Sequence, residues 1–202
     1  MTLQHPWDYH SGLTEERLVT VARLIDAARS DALARHDEFK GDNGWTLGCS
    51  AYQFARHQIT IAADEGRYSW LDVLDRSLHF VFQIDGIPVR FYKGDADEAA
   101  DHTTARTYLE LDQMELIFDE RDDRRKLLFR FAVETDFDGA AAAIKFVGLD
   151  GKRPVLCWEV PYGDRGAGMV VPLDTGRAEG IDLPPPPVRL VWDREDDQGI
   201  ES

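Results

Sequence analysis

Apolar and polar positions alternate most clearly between Leu78 and Tyr92, where LHFVFQIDGIPVRFY reads as two strands joined by Asp85-Gly86. An Asp-Gly pair accepts the positive φ that a type I′ turn needs at both central positions, so the segment predicts a β-hairpin. A two-residue turn sets Ile84 opposite Ile87, Phe82 opposite Val89 and Phe80 opposite Phe91 on one apolar face. His79 opposite Tyr92 and Val81 opposite Arg90 share the other face. Each buried apolar side chain here is worth roughly 1.5–3 kcal/mol, but a lone hairpin is marginal in water, so further strands or a helix must cover that face.

Helical spacing appears on either side of this segment. After Thr14, Leu18, Val21, Ile25, Ala28 and Ala32 form a stripe, with Glu15 and Glu16 in the first turn and Arg29, Arg35 and His36 toward the far end, where the helix dipole favours each sign of charge. This predicts a helix over 14–36 laid on a sheet, and its heptad-like stripe would also suit a dimer. A second helix is predicted over 45–66, with Tyr52, Ala55, Ile59 and Ala62 on one face. Ser69-Trp70-Leu71-Asp72 resembles a capping box and predicts a short third helix through Arg76. Tyr108, Leu111, Met114 and Phe118 line up as the apolar face of a further helix over 104–119.

Alternation returns at Leu127, Phe129, Phe131 and Val133, with Arg130 and Glu134 pointing the other way. A second pair, Asp150-Gly151, predicts a hairpin in which Ile144 meets Cys157 and Phe146 meets Val155, leaving Lys145 opposite Leu156 and Ala143 opposite Trp158 on the reverse face. The resulting fold class is α+β: an antiparallel sheet of about five strands built from two Asp-Gly hairpins, with N-terminal helices packed mainly on one face. Residues 1–162 read as a single domain. Composition then shifts to a Gly/Pro-rich segment over 163–202, with a polyproline II stretch at Pro184 to Pro187, a short edge strand VRLVW carrying Trp192, and an acidic end expected to be disordered.

The chain has 202 residues, enough for one good core, and a net charge of −15. That acidity argues against non-specific binding to nucleic acid or anionic membranes and makes a partner with a basic surface the natural one. The bland reading is that the charge keeps the protein soluble. No apolar run is long enough for a membrane helix, and MTLQHPWDYH lacks the basic flank and apolar block of a signal peptide, so a cytoplasmic location is expected. Cys49 and Cys157 have no CxxC spacing and read as free, largely buried thiols. His5, Asp8 and His10 invite a metal reading, but a chain terminus offers little rigidity for one, and Trp7 and Tyr9 read instead as pins holding the N-terminus to the core. No metal or cofactor is expected.

Candidate chemistry gathers on the sheet face opposite the phenylalanines. His79, Arg90, Tyr92, Arg130, Lys145 and Trp158 would place basic and aromatic groups together, a combination that suits an anionic ligand. The bland alternative is an ordinary polar face partly covered by the C-terminal segment. No phosphate-binding loop, GxGxxG, GxSxG or HExxH motif is present, and Asp136 and Asp138 with Lys145 evoke a metal nuclease core only weakly, because Phe137-Asp138-Gly139 reads as a turn. The expected function is a non-catalytic cytoplasmic interaction protein of regulatory, antitoxin-like or immunity-like kind, its acidic surface binding a basic partner. A third possibility is nucleic-acid mimicry, which requires the acids to form one continuous stripe. The alternative is an enzyme or ligand-binding domain that holds an anionic ligand on the basic, aromatic sheet face.

Overall fold

The stripe of Leu18, Val21, Ile25, Ala28 and Ala32 is buried along a helix that Thr14 caps by accepting the Arg17 N–H at 3.4 Å. A computed structural model of the chain describes residues 5–97, 105, 107–119 and 121–163. Residues Met1–Asp164 and Arg165–Ser202 form separate units. The expected polyproline stretch, VRLVW strand and acidic end lie outside the described residues.

Four helices are described: α1 (Pro6–Tyr9), α2 (Glu15–Arg35), α3 (Gly44–Asp64) and α4 (Tyr108–Ile117). The strands are β1 (Leu71–Asp75), β2 (Val81–Ile84), β3 (Ile87–Lys93), β4 (Leu127–Thr135), β5 (Ala141–Asp150) and β6 (Arg153–Glu159). They form one six-stranded sheet in chain order. Asn43 starts α3 by accepting the N–H groups of Trp45 and Thr46 at 2.9 and 3.2 Å.

The fold is α+β, but the sheet is mixed rather than antiparallel throughout, because β3 and β4 pair in parallel. Alternation along Leu127–Val133 fixes which side chains face the core, not which way the strand runs. The connection over 94–126 carries α4 and is long enough for the crossover that parallel neighbours require.

One face of the sheet carries the core. Phe82 lies over Phe131 at 6.4 Å between ring centres, Phe131 meets Phe146 edge-on at 5.0 Å, and Phe129 stacks on Phe146 at 5.8 Å. Leu18, Val21, Ile25, Ala55 and Ile59 from α2 and α3 join the same cluster. The stripe on α2 is therefore turned into the fold itself.

Asp85 and Gly86, with φ of 52° and 86°, connect β2 to β3, and Ile84 faces Ile87 while Phe82 faces Val89. The turn is docked. Asp85 donates its N–H to the Trp70 carbonyl at 2.7 Å, its carboxylate meets Arg17 at 3.1 Å, and Gly12 passes so close that a Cβ there would lie 2.3 Å from Asp85 Oδ2.

Several expectations are corrected. The segment predicted as a short third helix is β1, because Leu71 and Val73 gain partners in Ile84 and Phe82, and that pairing outweighs a local capping preference. In the second hairpin the residues between the strands are Gly151 and Lys152, with Asp150 paired to Arg153, and an irregularity follows between Gly148 and Leu149. The register consequently sets Phe146 opposite Trp158 and Val147 opposite Cys157. Trp158 thus moves to the core face, where it meets Trp7 edge-on at 5.5 Å. Tyr9 is buried beside Phe129, and its hydroxyl donates to the Val155 carbonyl at 3.1 Å, so α1 is held down at this edge. Both cysteines are free but exposed rather than buried. On α4, Met114 and Phe118 are buried as expected, whereas Tyr108 and Leu111 are exposed and Glu110 faces inward. Among the described residues no helix is long and apolar enough to cross a membrane.

Phe131 touches rings from β2 and β5 and is wholly enclosed, while Phe137 is wholly exposed in the β4–β5 turn. Phe131→Ala should cost about 3–5 kcal/mol in denaturant unfolding, and Phe137→Ala less than about 0.5 kcal/mol. Equal effects would contradict this core.

Candidate functional site

Beyond Val89 the first hairpin runs out: β2 begins at Val81, so Phe91–Lys93 extend past its end and leave that edge of β3 uncovered. A cleft of about 1000 Å³ opens there, at the upper end of typical ligand sites. Its walls come from the N-terminal half of α3, from Ile25 and Arg29 on α2, from the β1–β2 loop and from the start of α4. Tyr52, Phe91 and Val133 line its apolar side, and Trp45, Leu78 and Tyr108 are exposed hydrophobic residues of its lining.

Parallel pairing puts Arg90 in register with Arg130 on adjacent strands, so two guanidinium groups share one sheet face. Glu110 answers them. Its Oε1 lies 2.6 Å from Arg130 Nη1 and its Oε2 3.9 Å from Arg90 Nη1. Arg130 Nη1 also donates to the Phe129 carbonyl at 2.9 Å. Arg130 is 1% exposed and Glu110 2%. Burial pushes the Arg130 guanidinium below its ordinary pKa, and Glu110 acts in the opposite direction.

The same carboxylate organises the start of α4. Thr107 donates its N–H and hydroxyl to Glu110 Oε2 at 2.9 and 3.0 Å, and its hydroxyl oxygen accepts the Glu110 N–H at 3.3 Å, a reciprocal capping box. Arg90 Nη1 donates to the Ala105 carbonyl at 3.3 Å. Tyr92 is buried beside them; its hydroxyl donates to the Asp95 carbonyl at 3.2 Å, and its pKa is pushed up to about 12, first by burial and then by Asp95.

Of the residues singled out in the sequence, Arg90, Tyr92 and Arg130 come together in the cleft, and exposed His79 lies on its lining within the β1–β2 loop. Lys145 is not among the lining residues. It pairs with Glu134 at 2.8 Å, which raises its pKa. Trp158 is on the opposite sheet face for the register reason given above. The nuclease-like grouping does not assemble: Asp136 accepts the Ala140 N–H at 2.8 Å inside the β4–β5 turn, away from Lys145 in its pair with Glu134. At the N-terminus Asp8 accepts the His5 N–H and His10 Nδ1 accepts the Gly12 N–H, so these side chains serve the backbone.

Sequence reasoning missed Arg29, which reads there as a charge matched to the helix end. In the structure it is 4% exposed and lines the cleft. The signal was its position: four residues after Ile25 and eleven after Leu18, Arg29 falls on the buried stripe of α2. Compared with known proteins, the chain matches no family model, no curated protein and no solved structure.

Glu110→Gln keeps an amide able to complete the capping box but removes the charge that Arg130 faces. Unfolding stability should fall by about 3–5 kcal/mol, the cost of leaving a buried cation uncompensated. A loss under about 1 kcal/mol would place Arg130 in contact with water instead.

Proposed function

We propose that the protein is a binding domain for an organic anion, held in the cleft beside β3. The observation that carries this reading is the charge of the lining. In a chain of net charge −15, Arg29, Arg90, Lys93 and Arg130 all line the cleft, and Asp75 is the only acidic residue among the described residues that do. Glu110 offsets one unit of the Arg90 and Arg130 pair and leaves the other to act on the cleft. The apolar and aromatic walls around these cations supply area for an organic body, the usual arrangement of a small-molecule site.

The reading through an acidic surface, a cytoplasmic interaction protein with a basic partner, draws on the net charge, on the lack of catalytic motifs in the sequence and on the linear-motif character of the proline-rich tail. It stays secondary because the anion reading is supported by particular side chains that line one cleft.

Thermal unfolding with a panel of organic carboxylates and phosphates tests the proposal. An anion present at a hundred times its Kd should stabilise the fold by about 2.7 kcal/mol, a Tm rise of roughly 5–11 °C for a domain of this size. Arg90→Ala should stay folded, since Glu110 keeps Arg130, but should weaken binding by about 1 kcal/mol, roughly fivefold. High salt should weaken it too. A panel in which no anion raises Tm would overturn the proposal.

A further inference from the structure

The floor of the cleft is a strand edge whose main-chain groups are unclaimed. Gly94 donates its N–H to the Val133 carbonyl on β4 at 3.1 Å, so Tyr92 and Gly94 turn their backbone toward β4, and alternation turns Phe91 and Lys93 to the opposite side. That is the side on which β2 lies, but the register of β2 with β3 stops at Phe82 and Val89. The Phe80 N–H turns back to the Ser77 carbonyl at 3.2 Å, so the chain leaves the sheet there. Among the described residues neither Phe91 nor Lys93 has a main-chain partner outside the strand ladders. Two N–H and two C=O groups therefore face the cleft at the spacing of a β-ladder.

The outer edges of the sheet are treated differently. β1 is irregular between Val73 and Asp75 and carries Asp72 and Asp75, and β6 carries Pro154 beside its own irregularity, devices that keep a further strand from pairing. The open stretch of β3 has only Lys93, a cation that repels a basic segment and attracts an acidic one. Both faces of the sheet also continue past this edge. On one side Phe91 meets the Tyr52 ring of α3 at 5.0 Å, and on the other Arg90 Nη1 reaches the Ala105 carbonyl ahead of α4. All four residues line the cleft. A strand laid there has an apolar wall for alternate side chains and a cationic wall for those between.

Resting on the organic-anion reading above, we infer that the anion is an acidic peptide segment that adds to β3 as an antiparallel strand, bonding to the main chain of Phe91 and Lys93. One Asp or Glu of the segment faces Arg90, and the apolar residues before and after it face Tyr52 and Phe91. The pairing is antiparallel because the segment continues the line of β2, which runs antiparallel to β3. The open stretch Phe91–Lys93 is roughly 10 Å long, so the recognised core is short, about three to five residues. Exposed Trp45, Leu78 and Tyr108 on the cleft lining offer apolar area to what flanks it.

NMR titration of the full chain with capped pentapeptides tests this. The probe is acetyl-Thr-Val-Glu-Val-Thr-amide, whose two valines carry the main-chain groups that face β3. Matched peptides have Gln in place of Glu, or an ester oxygen in place of the N–H of the second valine or of the glutamate. The Phe91 and Lys93 amide protons should shift downfield and exchange with solvent more slowly in the complex. The Glu peptide should bind about fivefold tighter than the Gln peptide, and the ester at the second valine should weaken binding about fivefold, against less than about twofold for the ester at the glutamate. Lys93→Pro removes an N–H that faces the cleft and should bind the probe more weakly than Lys93→Ala, which has the same charge. Phe91 and Lys93 amides unmoved at saturation, equal effects of the two esters, or no peptide binding where small carboxylates raise Tm overturns this inference and leaves the organic-anion reading standing. If neither the peptides nor any other anion binds, both fall. The peptide series needs no variant, so it decides the matter even where Lys93→Pro does not fold.

Discussion

Two arginines in register on neighbouring parallel strands set the terms for this half of the molecule. Arg90 and Arg130 sit side by side on one face of the sheet, and Arg130 has almost no contact with solvent. Like charges so placed need an anion, and burial raises the need because water no longer screens them. Glu110 meets it from the third position of α4, where the same carboxylate closes the capping box with Thr107. The charge demand of the sheet thereby fixes where the crossover helix begins. Once α4 starts there, Thr107 and Tyr108 stand opposite the α3 wall, and the uncovered edge of β3 becomes the floor of a cleft rather than an open sheet edge.

Much of this was legible in the sequence where the period of the pattern was unambiguous. The Asp85-Gly86 turn and the phenylalanines on either side of it place Arg90 and Tyr92 on one face and Phe91 on the other, and alternation does the same for Arg130. The two long helices follow from their stripes, and α2 also from its Thr14 cap, whereas α3 is capped by Asn43 rather than near Thr46 or Ser50. What failed to show was the information that alternation does not hold. Strand direction is one instance: a parallel and an antiparallel β4 present the same side chains to the core, and alternation sets neither the direction nor the register that puts Arg130 beside Arg90. The second hairpin is another. Moving the turn by one residue and adding an irregularity near Gly148 carried Trp158 from the supposed ligand face to the core, since side chains on a strand change face with every single step.

The cleft itself was not legible because its makings come from elements far apart in the chain and because several of them look unremarkable locally. Arg29 suits a helix end, Glu110 suits a first helical turn, and Gly44 and Gly48 look like ordinary punctuation near a helix start. Their meaning appears only when α2, α3, α4 and β3 meet. Tyr108 illustrates the same point: the helical spacing that linked it to Met114 and Phe118 is real, but α4 turns its N-terminal part so that Glu110 is buried and Tyr108 is left on the cleft lining. A buried ion pair outweighed the apolar pattern at that turn.

The acidity of the chain and the cations of the cleft act together on any ligand. At physiological salt, fields are screened beyond about 8 Å, so an anion in solution meets a net-negative surface before it feels Arg29, Arg90 or Arg130. The penalty of that approach grows with ligand charge, whereas the gain from Tyr52, Phe91 and Val133 on the lining grows with apolar area. A multiply charged, compact anion therefore loses on both counts. An anion with a single charge and a long apolar body loses least on approach and gains most on seating. If the cleft holds an organic anion as proposed, the global charge and the local lining favour the same kind of molecule.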